Sequence, residues 1–268
     1  MQLGAGVALG NGYILMTIAA PRSLPENAGL AYSGERVAMT ASVPDKMAQQ
    51  MLGTPNPHRK PNSDVLRQLV SAVNAHRTAI HWQIDFPRHM GEQEASLYQH
   101  PFHHLFRTVR PDRPGWWHNP HANEELRAAL TRRERYLATP VGAEPPAFVW
   151  FESSIIPDDS LLAIARNDDF MHGIVQSRPF ALWWRQVHSR RTPTLAVKTF
   201  PFPWSPQITL SALTAAQEEQ RHAIARAARA PDMEALNAAV FAAYGWAADL
   251  SDADVLAKLE TLNRERAS

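Results

Sequence analysis

The residues of this chain best suited to binding a ligand lie in a basic segment near its last third. This segment combines three cations with two short hydroxyl side chains: Arg190, Arg191, Lys198, Thr192 and Thr194. Guanidinium groups bind phosphates and guanine edges through a planar fork, whereas threonine hydroxyls add weaker positioning contacts. The pattern is therefore compatible with contact with nucleic acid. From the residues alone, a solvated basic loop without a ligand is the more common explanation of such a segment.

The basic segment ends in a run of alternating aromatic residues and prolines, Phe200-Pro201-Phe202-Pro203-Trp204. Proline fixes φ and has no N–H, so neither a central strand nor a helix interior can accommodate this run. We therefore predict a rigid connection between the basic segment and the residues that follow. Its aromatic side chains could fill part of a hydrophobic core.

Further arginines form a second group of candidates for contact with phosphates. Arg132 and Arg133 fall within a predicted basic helix from Glu124 to Tyr136, which also contains Arg127. Arg178 belongs to a largely apolar segment that starts a predicted helix near Asp169. Each of these side chains could bind a backbone phosphate, and each could also lie on a solvated face.

Three other patterns have both a functional and a structural interpretation. The pairs Trp116-Trp117 and Trp183-Trp184 could stack on extruded bases, but paired tryptophans are more often buried in a core. Asp168-Asp169 could hold a metal, but two aspartates at a helix start usually cap it. Five histidines have spacings that occur in metal sites, without accompanying cysteines: His100, His103, His104, His118 and His121.

Composition places the chain among ordinary globular proteins, with 268 residues, 45% hydrophobic and 20% charged. The absence of cysteine excludes disulfides and thiolate–zinc sites, and it is compatible with a reducing cytoplasm, where we expect this protein. There is no run of about 18 apolar residues, so we expect no membrane span.

The net charge of +1 hides an asymmetry along the chain. From Leu213 onward there are nine acidic and six basic residues, a net charge of −3. The preceding residues contain 21 basic and 17 acidic residues, a net charge of +4. This separation indicates that the first part faces an anion, while the last part faces solvent or another protein domain.

Hydrophobic periodicity and turn signals predict a mixed α+β domain over residues 1–206. A first strand is expected at Tyr13 to Met16. The other predicted elements are helices at Asp45–Leu52, Asn62–Val73 and Glu92–Val109, and strands at Ile80–Phe86, Phe148–Phe151 and Leu161–Ala165. Asn62-Ser63-Asp64 is interpreted as the cap of the second helix, and a turn is expected around Pro157-Asp158-Asp159.

Residues 207–268 are predicted to form a small, all-helical subdomain, because the composition shifts to alanine, glutamate and arginine. Thr214 and Gln217 have the spacing of a capping box, which begins a helix that reaches about Ala230. A second helix is expected from Asp232 to Ala243, and a third is capped by Ser251 and reaches Arg264.

Blocks of this sequence resemble, in the same order, those of one enzyme family. Thr192-Pro193-Thr194 followed by Thr199-Phe200-Pro201-Phe202-Pro203-Trp204 looks like the end of the target-recognition domain in MmeI-like DNA methyltransferases, which are related to type IIG restriction–modification enzymes. The resemblance extends over nearly the whole chain through further blocks: Asn62–Arg67, Trp82–Phe86, Glu134–Pro140, Ile164–Phe170, Gly173–Arg178, Ala239–Trp246 and Leu262–Arg266.

The resemblance implies a module that reads double-stranded DNA for a site-specific adenine-N6 methyltransferase. The basic segment would contact DNA, followed in importance by Arg132, Arg133 and Arg178. In this family a methyltransferase domain binds S-adenosylmethionine and flips the target base. This chain has neither the family's Phe-x-Gly-x-Gly loop nor its Asn-Pro-Pro-Tyr tetrapeptide. We therefore expect no cofactor here, and S-adenosylmethionine on a methyltransferase domain or partner subunit.

Two other functions fit the same residues. The chain could be a protein-binding specificity subunit that docks on a separately encoded methyltransferase through its alanine-rich helices, or it could be an inactive remnant. It also departs from the family, which commonly has Arg-Tyr before Thr-Pro-Thr where this chain has Arg190-Arg191. Lys198 stands where the family often has a glutamate. Such changes could alter the DNA sequence that is read.

Overall fold

The computed structural model describes residues 20–73, 81–109, 111–188 and 192–267. The predicted strand at Tyr13 to Met16 lies outside the described residues. Short strands are distributed through the first two thirds of the chain. They are β1 Ala31–Ser33, β2 Ser42–Pro44, β3 Leu66–Val70, β4 His81–Ile84, β5 Arg135–Pro140, β6 Val149–Glu152, β7 Ile156–Pro157 and β8 Leu161–Ile164.

Helices occur between these strands and make up most of the chain after β8. They are α1 Asp45–Gly53, α2 Glu92–Ala95, α3 Gln99–Thr108, α4 Glu124–Leu130, α5 Asp169–Gln176, α6 Arg178–Val187, α7 Leu195–Thr199, α8 Ala215–Ala227, α9 Met233–Tyr244 and α10 Asp252–Arg266. The expected α+β class with a helical C-terminal region is therefore confirmed.

The described strands form two four-stranded sheets. The first is antiparallel in the order β1-β8-β5-β6, and Ala163 of β8 lies opposite both Tyr32 and Ala138. The second has the order β2-β4-β3-β7, in which β7 is parallel to β3. Strands β7 and β8 belong to different sheets, so the turn from Asp158 to Ser160 between them connects the two sheets. This turn lies where the sequence predicts one.

The predicted helix from Asn62 to Val73 is wrong. Asn62–Asp64 forms one turn of 3₁₀-helix, and Leu66–Val70 is strand β3. Leu66, Leu69 and Val70 have a spacing that fits a helical face, but β3 pairs with β4 on one side and β7 on the other. Hydrogen bonding to two neighbouring strands outweighs this local pattern, since tertiary context commonly overrides propensity.

Two other predicted helices differ in extent. The helix predicted from Glu124 to Tyr136 ends at Leu130, and its last residues belong to β5, whose Tyr136, Leu137 and Ala138 are fully buried between neighbouring strands. The helix predicted from Glu92 to Val109 is divided into α2 and α3. The break lies before Gln99, and Pro101 falls in the first turn of α3, where proline is tolerated.

The C-terminal helices follow their predicted caps closely. The Thr214 side chain accepts a hydrogen bond from the Gln217 N–H, and the Gln217 side chain accepts one from the Thr214 N–H. Gly245 ends α9 with a φ of 69°, a left-handed conformation that favours glycine. Ser251 caps α10 by accepting the N–H of Asp254.

One hydrophobic cluster joins the first sheet to the C-terminal helices. It includes Leu137 of β5, Trp183 of α6 and Phe200, together with Val240 of α9 and Leu259 of α10. A second cluster lies between the second sheet, α1 and α3. The proposed boundary between residues 206 and 207 stays a prediction, and the first cluster extends across it.

Candidate nucleic-acid interface

Part of the basic segment is described and forms a turn followed by the short helix α7. The Thr192 carbonyl accepts the N–H of Leu195 at 3.0 Å, and the Thr194 carbonyl accepts that of Lys198 at 3.0 Å. Thr192 and Lys198 are exposed, whereas Thr194 is half-buried. Arg190 and Arg191 lie outside the described residues. The described part therefore presents one cation and two hydroxyl-bearing residues at or near the surface.

Buried polar side chains hold the backbone of α7 in place. The amide nitrogen of Asn27, which is fully buried, lies 3.0 Å from the Val197 carbonyl oxygen and 2.8 Å from that of Phe200. Asn263 donates to the Thr199 carbonyl at 2.7 Å. Because these donors satisfy the carbonyls at the end of the helix, Lys198 lies on a segment whose backbone is already ordered.

The aromatic-proline run has the irregular conformation that its sequence predicts. Residues 200–204 form neither helix nor strand. Phe200 and Phe202 are fully buried, and Trp204 stacks on Phe170 with a centroid separation of 5.1 Å and an interplanar angle of 12°. Arg266 of α10 donates to the Phe202 carbonyl at 2.6 Å. The run therefore connects the basic segment to the C-terminal helices through the core.

Arg132 and Arg133 lie in the turn between α4 and β5 instead of on a helix. The Arg132 side chain is exposed. Arg133 is half-buried and donates to the carbonyl of Ala129. A turn that directly follows a helix can present adjacent side chains to a ligand. A phosphate contact at Arg132 or Arg133 stays a prediction.

Arg178 begins α6 and forms contacts within the protein. Its Nε donates to Asp252 at 2.8 Å, and its Nη2 donates to the Leu250 carbonyl at 3.0 Å. The guanidinium also lies 5.7 Å from the centroid of the Phe241 ring. These contacts hold the start of α10 against α6. A contact between Arg178 and DNA would compete with them.

Arg127 forms a buried ion-pair network that no local sequence pattern indicates. Its guanidinium donates to both oxygens of Glu35 at 2.6 and 2.7 Å, and to both oxygens of Asp85 at 2.8 and 3.0 Å. Burial works to lower the pKa of Arg127, but the hydrogen bonds to the two carboxylates outweigh it and raise the pKa. The network fixes α4, and thereby the start of the turn that carries Arg132 and Arg133.

Both tryptophan pairs are buried, which favours their structural interpretation. Trp116 and Trp117 are 5% and 9% exposed, and Trp183 and Trp184 are at most 1% exposed. Each indole N–H donates to a protein acceptor, such as the Thr199 hydroxyl for Trp183. Stacking of these rings on extruded bases would require the core to open.

The aspartate pair caps α5, as one of its two interpretations predicts. Asp168 accepts the N–H of Met171 at 2.9 Å, and Asp169 pairs with Arg135 and Arg229 at 2.8 and 2.7 Å. Within the described ranges, no group of three or more His, Asp or Glu side chains is arranged to hold a metal ion. None of the helices in these ranges is long and apolar enough to cross a membrane.

Comparison with known proteins identifies a shared fold. No protein-family model matches the chain, and the comparison with curated proteins found no match either. Among solved structures, the type IIL restriction–modification enzyme MmeI in complex with DNA is similar over 94% of this chain, with a TM-score of 0.62 and 15% identity. The present chain spans 37% of that solved chain. The chain thus has the fold of part of a restriction–modification enzyme.

Proposed function

We propose that this chain is the sequence-specific DNA-recognition module of a site-specific DNA-modification or restriction–modification enzyme. The observation that carries this proposal is the fold shared with MmeI, which was solved in complex with DNA, over 94% of the chain. The family blocks around Thr192 and in the aromatic-proline run point to the same part of such an enzyme. By the same resemblance, the modified base is adenine. A cytoplasmic location is also part of the proposal, since a chain without cysteine is compatible with a reducing compartment.

The DNA-facing residues in this proposal are Arg190, Arg191, Thr192, Thr194 and Lys198, with Arg132 and Arg133 contacting the phosphate backbone. The support for Lys198 is its exposure on a helix whose carbonyls are already bound by Asn27 and Asn263. A preordered segment loses little conformational entropy when it binds, so more of the contact energy remains as affinity. Arg178 enters the proposal only as a residue that holds α10 against α6.

The methyl transfer in this proposal takes place on a separate methyltransferase domain or subunit, which binds S-adenosylmethionine. The excess of acidic residues after Leu213 supports a role for α8 to α10 in contacting that domain rather than DNA. Co-purification of this chain with the methyltransferase encoded nearest to it tests the partnership. Site-specific methylation should require both chains, and methylation that is unchanged without this chain would contradict the proposal.

DNA binding itself is tested by titrating duplexes into the purified chain and following fluorescence anisotropy. Replacing Arg190 or Arg191 with alanine should weaken binding to the preferred site by about 1–3 kcal/mol if that arginine reads a base, with relaxed preference at one position. Arg264→Ala is the matched control, because Arg264 is exposed on α10 and is not among the residues proposed to contact DNA. Unchanged affinity in both test variants would remove the basic segment from the interface.

A further inference from the structure

A second group of arginines surrounds a pocket beside the aromatic-proline run. This pocket has a volume of about 390 Å³ and is lined by Arg133, Arg166 and Arg221. The three residues come from the turn before β5, the segment after β8 and helix α8. The stacked rings of Phe170 and Trp204 line the same pocket. The fold therefore brings three cations together from distant parts of the chain, next to an aromatic surface.

Asp168, which lines this pocket, and Glu218, which pairs with the pocket residue Arg221, already have partners. One oxygen of Asp168 accepts the N–H of Met171 at 2.9 Å, and the other accepts Arg166 Nε at 2.8 Å. The two oxygens of Glu218 accept hydrogen bonds from Arg221, both at 2.8 Å. In the part of the chain that the structure describes, neither carboxylate forms an ion pair with the third arginine of the pocket.

Arg133 is that third arginine. Its guanidinium donates to the Ala129 carbonyl, and no ion pair with a carboxylate is found for it within the described ranges. Burial lowers the pKa of Arg133, and the positive charge of Arg166 lowers it further. The charge of Asp168 offsets part of this lowering, and a bound anion would favour the charged form of Arg133 further.

The lining of the pocket selects the class of anion. Arginine guanidinium groups bind phosphate oxygens through charge-assisted and often bidentate hydrogen bonds. Ser205 and Thr209, which also line the pocket, add hydroxyl groups of the kind that contact DNA phosphates. The volume lies within the range that accommodates a phosphate together with attached groups.

We propose that this pocket binds a backbone phosphate of DNA through Arg133, Arg166 and Arg221. The inference rests on the proposed DNA-recognition function and adds a specific anchoring site to it. Such a contact positions the protein on the duplex without reading its sequence. Its loss should therefore weaken binding to all duplexes alike, and it should lower the number of counterions that are released.

The test measures duplex affinity at several salt concentrations for the full chain and for Arg133→Gln. In the variant, the slope of log K against log salt should fall by about 0.9, the value for one phosphate, with unchanged sequence preference. Arg133→Lys should retain the slope because it keeps the charge, and Arg264→Gln should match the wild type. If Arg133→Gln does not fold, as judged by circular dichroism, Arg221→Gln replaces it.

A second measurement without DNA separates this inference from the proposed function. Inorganic phosphate should raise the Tm of the wild type above its value in chloride at equal ionic strength, and Arg133→Gln should lose most of that difference. If the wild type binds duplexes and the glutamine variant keeps its salt slope, the pocket is not a phosphate site, although the proposed function stands. If the wild type binds no duplex, the proposed function fails. A rise in Tm with inorganic phosphate in that case would show an anion site whose ligand is not DNA, which would overturn the inference.

Discussion

Removing the guanidinium of Arg127 should destabilise the fold strongly, because it lies between two buried carboxylates. The side chains of Glu35 and Asp85 are 0% and 4% exposed, and Arg127 makes two hydrogen bonds to each. Loss of one partner from a buried ion pair costs about 3–5 kcal/mol. Since Arg127 itself is 26% exposed, we expect the lower part of that range, about 3 kcal/mol, for Arg127→Met.

The assay is urea unfolding, followed by tryptophan fluorescence at about pH 8 and about pH 5. In Arg127→Met, Glu35 loses its cation and Asp85 keeps the more distant Arg67, whose Nε lies 4.0 Å from its carboxylate. A buried carboxylate without a close cation is stabilised by taking up a proton, so part of the lost stability should return at the lower pH. Adding Glu35→Gln and Asp85→Asn to Arg127→Met should recover stability at both pH values, because no buried charge is then left unpaired.

Arg132→Ala is the matched control for Arg127→Met, since Arg132 is an exposed arginine from the turn that follows the same helix. It should change the free energy of unfolding by at most about 0.5 kcal/mol. A loss below about 1 kcal/mol for Arg127→Met would refute the reasoning. Equal losses at both pH values would also refute it, because the effect would then not come from buried charge.

Three further changes probe the packing and electrostatics that support the interface. A Cβ at Gly173 would lie 2.6 Å from Ile224 Cγ2, so Gly173→Ala should cost about 1–3 kcal/mol in urea unfolding, whereas Gly53→Ala, with open space around it, should not destabilise. Asn27→Ala should lower the free energy of unfolding by about 1–3 kcal/mol, because the buried carbonyls of Val197 and Phe200 lose their donor. It should also speed amide hydrogen exchange in α7, and unchanged exchange would contradict the role of Asn27 in ordering that helix. Burial works to raise the pKa of Asp169, but its ion pairs with two arginines lower the pKa overall. The carboxylate therefore stabilises the fold at pH values above its pKa in the unfolded chain, and this contribution is lost as the pH falls through its pKa in the folded protein. Thermal unfolding of Asp169→Asn should show a weaker loss of stability on acidification than the wild type, and an identical pH profile would count against the ion pairs.

Elements with local signals were predictable from the sequence. Thr214, Asp232 and Ser251 each cap a helix through their own side chains, so the starts of α8, α9 and α10 follow from a few neighbouring residues. The aromatic-proline run was predictable for a similar reason, because proline restricts its own backbone and lacks a donor. In these places local chemistry and tertiary structure agree.

The errors occur where distant parts of the chain decide the structure. Strand β3 has apolar residues that also fit a helix, and only its pairing with β4 and β7 makes it a strand. Arg127 contacts Glu35 across 92 positions, and Asn27 contacts Val197 across 170. No local pattern marks such pairs. An acidic residue inside a predicted strand, such as the buried Asp85 in the strand expected over Ile80–Phe86, was the available signal for a buried charge.

A DNA-recognition module must bind one DNA sequence more tightly than others, and not only bind duplexes as anions. With a net charge of only +1, the chain should bind non-specific duplexes weakly at physiological salt. Base contacts from arginine forks and threonine hydroxyls would therefore supply a large part of the free energy of binding to a preferred site.

Selection of duplexes from a randomised library by the wild-type chain, at physiological salt, measures this preference directly. Recognition by this module predicts enrichment of one short motif, with loss of preference at individual positions of that motif in Arg190→Ala and Arg191→Ala. Recovery of a random population by the wild type, together with the equally weak binding of all duplexes, would contradict a role in reading DNA sequence.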